Sequence, residues 1–114
     1  MDVLLYHNSR CSKSRQALEI LEKQPHQLVV VEYLKNPLTF DELSDILSKL
    51  NFSPIELVRK NESIWKDYFK GKIMTNDQII QAMVDNPKLI ERPIAISNKG
   101  AVIGRPPEKV LEIV

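Results

Sequence analysis

The sequence predicts an α/β chain built on a four-stranded mixed sheet, in the order β-α-β, several helices, then β-β-α. Three observations predict it. Two short apolar runs, residues 3–6 and 28–31, flank a segment of helical period at 12–23. The middle, about residues 39–86, carries only helix signatures. Two further apolar runs, residues 94–97 and 101–103, then flank Asn98-Lys99-Gly100. Apolar runs of strand length on both sides of a helical pattern indicate a parallel pair joined by a crossover.

Each element has its own local reason. Val3 to Tyr6 is short and apolar and reads as a buried strand. The following helix places Ala17, Leu18 and Leu21 on one face, and Pro25 lies just past its end, as helix stops prefer. Leu28 to Val31 reads as a second buried strand. Thr39-Phe40-Asp41-Glu42 is a capping box ahead of Leu43, Ile46, Leu47 and Leu50 at helical spacing. Ser53-Pro54-Ile55-Glu56 repeats the device with proline at the first helical position. Asn61 is the expected cap of a segment carrying Ile64, Trp65, Tyr68 and Phe69, whose aromatics read as core. Thr75-Asn76-Asp77-Gln78 is a third capping box, leading into Ile79, Ile80 and Met83. Near the end, a three-residue turn with Gly100 at positive φ predicts a hairpin, and Pro106-Pro107 opens a last helix through Val114. The expectation is a single domain over residues 1–114 with a helical insertion at about 39–86.

Composition narrows the function. Apolar residues make up 43% and charged residues 27%, a globular balance. Sixteen basic residues nearly cancel fifteen acidic ones, so no bulk charge points to nucleic acid or membrane. No apolar run approaches the roughly 18 residues that span a bilayer, and the stretch before Asn8 has too few apolar residues to be expected to act as a signal peptide. One cysteine, Cys11, excludes an internal disulfide framework and fits a reducing cytoplasm. With only His7 and His26 beside it, a cysteine-based zinc site is not expected.

Cys11 sits between a predicted strand and a predicted helix start. Unpaired N–H groups and the positive end of the helix dipole stabilise a thiolate there. They lower its pKa from ~8.5 towards the ~3.5–7.5 range of reactive cysteines. Arg10, Lys13 and Arg15 are expected to push the same way. The alternative is a buried structural cysteine, which fits poorly among polar and charged neighbours. His7 either orients or deprotonates a neighbour, or simply ends the strand. A phosphatase-like anion loop needs an arginine six places after the cysteine, where this chain has Ala17, with Arg15 at the fourth. Cys11-Ser12-Lys13-Ser14 instead has the Cys-x-x-Cys spacing of thioredoxin-like proteins, with Ser14 in the second position. A lone thiol must take its second sulfur from outside, from glutathione or another protein's thiol.

The arginines are the second clue. There are five, against eleven lysines. Arg10 and Arg15 belong to the cysteine loop. Arg59, Arg92 and Arg105 stand at expected element ends, the last two directly before Pro93 and Pro106. The guanidinium fork suits oxyanions in a way that lysine's point charge does not.

Four ordered motifs, "YHNSRCSKSR" from Tyr6, "LVRKNE" from Leu57, "NPKLIERPI" from Asn86 and "IGRPPEKVLEI" from Ile103, together resemble the glutaredoxin-dependent arsenate reductase family, closest to its short bacterial branch. The resemblance covers essentially the whole chain. It implies a thioredoxin/glutaredoxin-like fold with a helical insertion, Cys11 as the catalytic cysteine, and Arg59, Arg92 and Arg105 as oxyanion-binding arginines. It matches His7 to the histidine before the cysteine and Pro93 to a proline that is typically cis. Ser14 and Arg15 take supporting places. One departure is Ser9, where the family usually has proline; this should loosen the turn, since proline restricts φ.

The mechanism so implied is attack of the Cys11 thiolate on arsenate, with the arginines neutralising the oxyanion, followed by glutathione and glutaredoxin as reductants and release of arsenite. No bound cofactor or metal is expected, and a cytoplasmic monomer is. The main alternative is an Spx-type thiol-sensing regulator with a protein partner. Spx-type proteins typically carry Cys-x-x-Cys, which Ser14 breaks, and run longer at the C-terminus. A thiol-disulfide oxidoreductase acting on another substrate is a further reading. A monothiol glutaredoxin carrying iron–sulfur clusters would need a Cys-Gly-Phe-Ser turn, which is absent.

Overall fold

The computed structural model describes residues 2–114. The described residues divide into two compact units, residues 2–36 with 92–114, and residues 37–91.

The first unit is built on a four-stranded sheet of order β2-β1-β3-β4, with β1 at Asp2–His7, β2 at Gln27–Glu32, β3 at Ile94–Ser97 and β4 at Gly100–Ile103. Helix α1, Ser12–Glu22, connects β1 to β2. The two strands pair in parallel, with Val3 beside Leu28 and His7 beside Glu32. β3 runs antiparallel to β1, and β4 antiparallel to β3. This is the mixed α/β sheet that the sequence predicts.

Its core follows from the two side-chain periods. Val3 and Leu5 share one face of β1, because alternate strand residues point the same way. Ala17 and Leu21, one turn apart on α1, join them, together with Ala95, Val110 and Ile113. Burying each large aliphatic side chain contributes about 1.5–3 kcal/mol.

Three local expectations change. β2 is an edge strand, not a buried one: Val29 and Val30 are 41% and 40% exposed. Periodicity cannot distinguish an apolar edge strand from an apolar central one. The hairpin turn holds two residues, Asn98 and Lys99, because Ser97 pairs directly with Gly100. Gly100 does carry the positive φ, 143°. The last helix is a 3₁₀ helix, Pro107–Ile113.

The second unit is helical, with α2 at Phe40–Leu50, α3 at Ser63–Tyr68 and α4 at Asn76–Asp85, and short 3₁₀ turns at Pro54–Leu57 and Pro87–Leu89. Leu43, Ile46, Leu47 and Leu50 of α2 are buried, as are Ile79, Ile80, Ala82 and Met83 of α4. Helix α2 ends at Asn51 in the left-handed conformation, φ 58°. Helix α3 is capped at Glu62 rather than Asn61, without a side-chain cap bond. Trp65 is buried and stacks on Phe69 at 5.5 Å, whereas Tyr68 is 64% exposed and is not core. Among the described residues no helix is long and apolar enough to cross a membrane.

Candidate active site

The cysteine loop is shaped by Asn8. Its side-chain Oδ1 accepts the Arg10 N–H at 3.0 Å, an Asx turn, and its carbonyl accepts the Cys11 N–H at 3.0 Å. The chain thereby reverses from β1 into α1 with Cys11 as the N-cap, φ −92° and ψ 123°. The Cys11 carbonyl accepts the first helical bond, from the Arg15 N–H at 3.0 Å. Arg15 also donates through Nη1 to the Ser9 carbonyl at 3.0 Å, which ties the front of the loop to the helix.

Behind the loop lies a buried polar pair. Ser14 is fully buried on the first turn of α1. Its Oγ stands 2.6 Å from His7 Nδ1 and accepts the Asn8 N–H at 3.0 Å. Burial lowers the His7 pKa, as does Arg15, and these outweigh the opposite pull of Glu32. The neutral imidazole is therefore favoured. With the Asn8 donor already on Ser14, we assign the hydroxyl hydrogen to His7 Nδ1, which leaves the ring proton on Nε2. His7 thus supports the loop from behind through Ser14.

The hairpin brings up the cations. Its register pairs Ile94 with Ile103 and continues past the ladder, where the Gly104 N–H donates to the Pro93 carbonyl at 2.9 Å. The next residues outward on the two arms are Arg92 and Arg105. Arg105 Nε donates to the Arg92 carbonyl at 2.7 Å, and Arg105 Nη2 donates to Cys11 Sγ at 3.4 Å. Both Arg92–Pro93 and Arg105–Pro106 are cis. The first matches the family expectation for Pro93; the second was not foreseen. Gly104 is required here by space: a Cβ would stand 2.7 Å from Pro93 Cγ and 3.1 Å from Val110 Cγ1.

Cys11 is only 9% exposed, more enclosed than its polar neighbours in sequence suggest. Burial raises its pKa, but other effects prevail and the net shift is downward. The Ser14 backbone N–H lowers it, close enough to act without meeting the geometry of a capping bond. A side-chain interaction with Arg92 and the charges of Arg92 and Arg105 lower it further. The cations acting on the thiol are thus Arg92 and Arg105, not Arg10, Lys13 and Arg15, whose side chains are largely exposed. Sequence proximity misled because side chains on the first turn of α1 fan outward, while the hairpin arrives from 80 or more positions away.

Arg59 belongs to the second unit. It follows a β-bridge between Val58 and Ile90, and its N–H donates to the Leu89 carbonyl at 2.7 Å. Its guanidinium is held by two carboxylates, Nε to Glu62 Oε1 and Nη1 to Glu91 Oε1, both at 3.4 Å. Asn8, Gly104 and the acid pair on Arg59 escaped the sequence reading. Asn8 had a local signal, as an Asx-turn former directly after a strand, and so did Glu62, three positions after Arg59.

Comparison with known proteins identifies the family. The model of the ArsC family matches residues 6–113. The "Uncharacterized protein YfgD" of Escherichia coli (strain K12) is 47% identical, over 98% of this chain and 96% of its own. An arsenate reductase of Neisseria meningitidis is 37% identical, over 96% of this chain and 95% of its own. A solved arsenate reductase from Vibrio cholerae superposes with a TM-score of 0.94 at 40% identity, covering 100% of this chain and 98% of that one. On a family match over residues 6–113, the chain belongs to the ArsC family, the arsenate reductase family of thioredoxin-like oxidoreductases.

Proposed function

We propose that the protein reduces arsenate, with Cys11 as the nucleophile and glutathione and glutaredoxin as the source of electrons. The observation that carries this reading is the guanidinium of Arg105 donating to Cys11 Sγ at 3.4 Å. It supports a thiolate at rest and an anion beside it during reaction. Sγ attacks arsenic and displaces a hydroxyl, which leaves as water. Arg92 and Arg105 neutralise charge on the remaining oxygens. Glutathione then attacks the adduct. Two electrons pass to arsenic as the sulfurs join, arsenite departs, and glutaredoxin reduces the mixed disulfide. Arg59 is proposed, from the "LVRKNE" motif, as a third oxyanion-binding arginine. Ser14 in the second thioredoxin position offers no internal partner for Cys11, which favours this scheme over an internal-disulfide sensor.

The test is a coupled assay with arsenate, glutathione and glutaredoxin. Turnover that depends on all three and vanishes in Cys11→Ser is expected. Turnover without glutaredoxin, or none with arsenate, would redirect the assignment to another thiol reaction.

A further inference from the structure

On the β2 side of the cysteine loop lies a cleft of about 250 Å³ that the reaction above does not use. His7, Asn8 and Arg10 line it from β1 and the loop, and Glu32, Leu34 and Lys35 from the end of β2. His7 is 5% exposed and its Nδ1 is engaged by Ser14. The opposite ring nitrogen, Nε2, has no hydrogen-bond partner among the described residues. An imidazole N–H with no protein partner, on a residue that lines a cleft, is free to donate to an acceptor from outside the chain.

The other walls say which acceptor. Arg10 and Lys35 bring two positive charges. Glu32 returns one negative charge, with Lys35 Nζ 3.5 Å from its Oε2. One net positive charge matches a monoanion better than a doubly charged oxyanion, which Glu32 would repel. Leu34, 38% exposed, offers an apolar wall to a small carbon skeleton. Lysine and arginine with a neutral imidazole N–H make a donor-rich set suited to a carboxylate.

We propose that this cleft binds a small carboxylate ligand, held by His7 Nε2, Arg10 and Lys35. Two sources share that chemistry: the carboxylate of a peptide thiol reductant, and a free monocarboxylate.

The experiment is a titration followed by amide chemical shifts, on the intact chain and on Cys11→Ser. The probes are acetate, S-methylglutathione (which cannot exchange its sulfur) and inorganic phosphate. Saturable shifts at Asn8, Arg10 and Leu34 are expected with acetate and S-methylglutathione in both proteins, so the result stands apart from whether arsenate is reduced. Lys35→Ala should weaken binding about tenfold, the loss of one charge-assisted bond, while leaving Cys11 alkylation unchanged. Arg10→Ala should weaken it similarly. Tighter binding of S-methylglutathione than of acetate assigns the peptide thiol; equal binding assigns a free carboxylate. Absence of saturable shifts with either probe overturns the proposal. So does phosphate binding as well as acetate, or affinity unchanged in both variants.

Discussion

Helices α2 and α1 begin in opposite ways. At α2, Thr39 accepts the Glu42 N–H at 3.1 Å and Glu42 returns a bond to the Thr39 N–H at 3.0 Å, with Asp41 and Glu42 against the positive dipole end. Helix α4 repeats the device with Thr75 and Gln78. These starts are closed: their donors and dipole are satisfied by neighbours in sequence. Helix α1 has a cysteine as its N-cap, no side-chain cap bond and no acid in its first turn. Its open donors and positive end are left to act on a thiol and on whatever anion approaches it. The second unit spends its helix ends on stability, and the first leaves one unsatisfied where chemistry is proposed.

The sharpest break of that contrast is Cys11→Ser. A serine at an N-cap is a better cap than cysteine, so α1 becomes like α2. Arsenate turnover is expected to fall below detection with the fold retained. The contrast also has a pH signature. The native thiol pKa is lowered, so the folded state binds fewer protons than the unfolded one where the thiol titrates, and stability there rises with pH. The contribution is complete above the unfolded value of ~8.5 and is lost as pH falls through the lower native value. The stability of the native chain relative to Cys11→Ser should therefore increase with pH in denaturant melts. A difference that is flat, or that shrinks as pH rises, would refute the lowered pKa.

Arg105→Ala comes next. It removes the bond to Sγ, and charge-assisted bonds are worth roughly 1.5–3 kcal/mol. Oxyanion affinity should drop about tenfold or more, and thiol alkylation at neutral pH should slow. Arg105→Lys should recover only part, since lysine keeps the charge and loses the fork that reaches both the Arg92 carbonyl and Cys11. Equal rates for lysine and arginine would mean that charge alone suffices. Gly104→Ala tests the scaffold beneath the same arginine. Its new methyl would meet a proline ring that cannot swing aside and a buried valine. Destabilisation of about 1–3 kcal/mol is expected, with oxyanion affinity falling as Pro93 and Arg105 shift.

Legibility in the sequence followed the range of the interaction. The capping boxes at Thr39 and Thr75 were readable because donor and acceptor lie three residues apart. The parallel β1–β2 pair was readable because one short crossover joins the strands. Which arginines act on Cys11 was not readable from chemistry alone: Arg10 and Arg15 were nearer in sequence and equally basic. Arg92 and Arg105 were singled out by their places before proline and by family resemblance, and the hairpin register is what sets them opposite each other. The exposure of Val29 and Val30 was hidden because strand order is a property of the whole sheet. Glu91 gave no signal as a partner of Arg59, since it lies 32 positions away and alone looks like a solvated surface acid; Glu62, three positions on, was within local range.

The smallest expected effect is the control at the closed end. Thr39→Ala removes the acceptor for the Glu42 N–H on an exposed first turn, where water can replace it in part. The loss should be about 1 kcal/mol, as for other threonine caps. Denaturant midpoints should move with an unchanged slope, the mark of altered stability without altered compactness. Cys11 alkylation and oxyanion binding should stay at the native level, because the cap bond is made and lost within residues 39–42. If Thr39→Ala instead slowed Cys11 alkylation as Arg105→Ala does, the two helix starts would be energetically coupled, and the division between a stabilising end and a reactive end would fail.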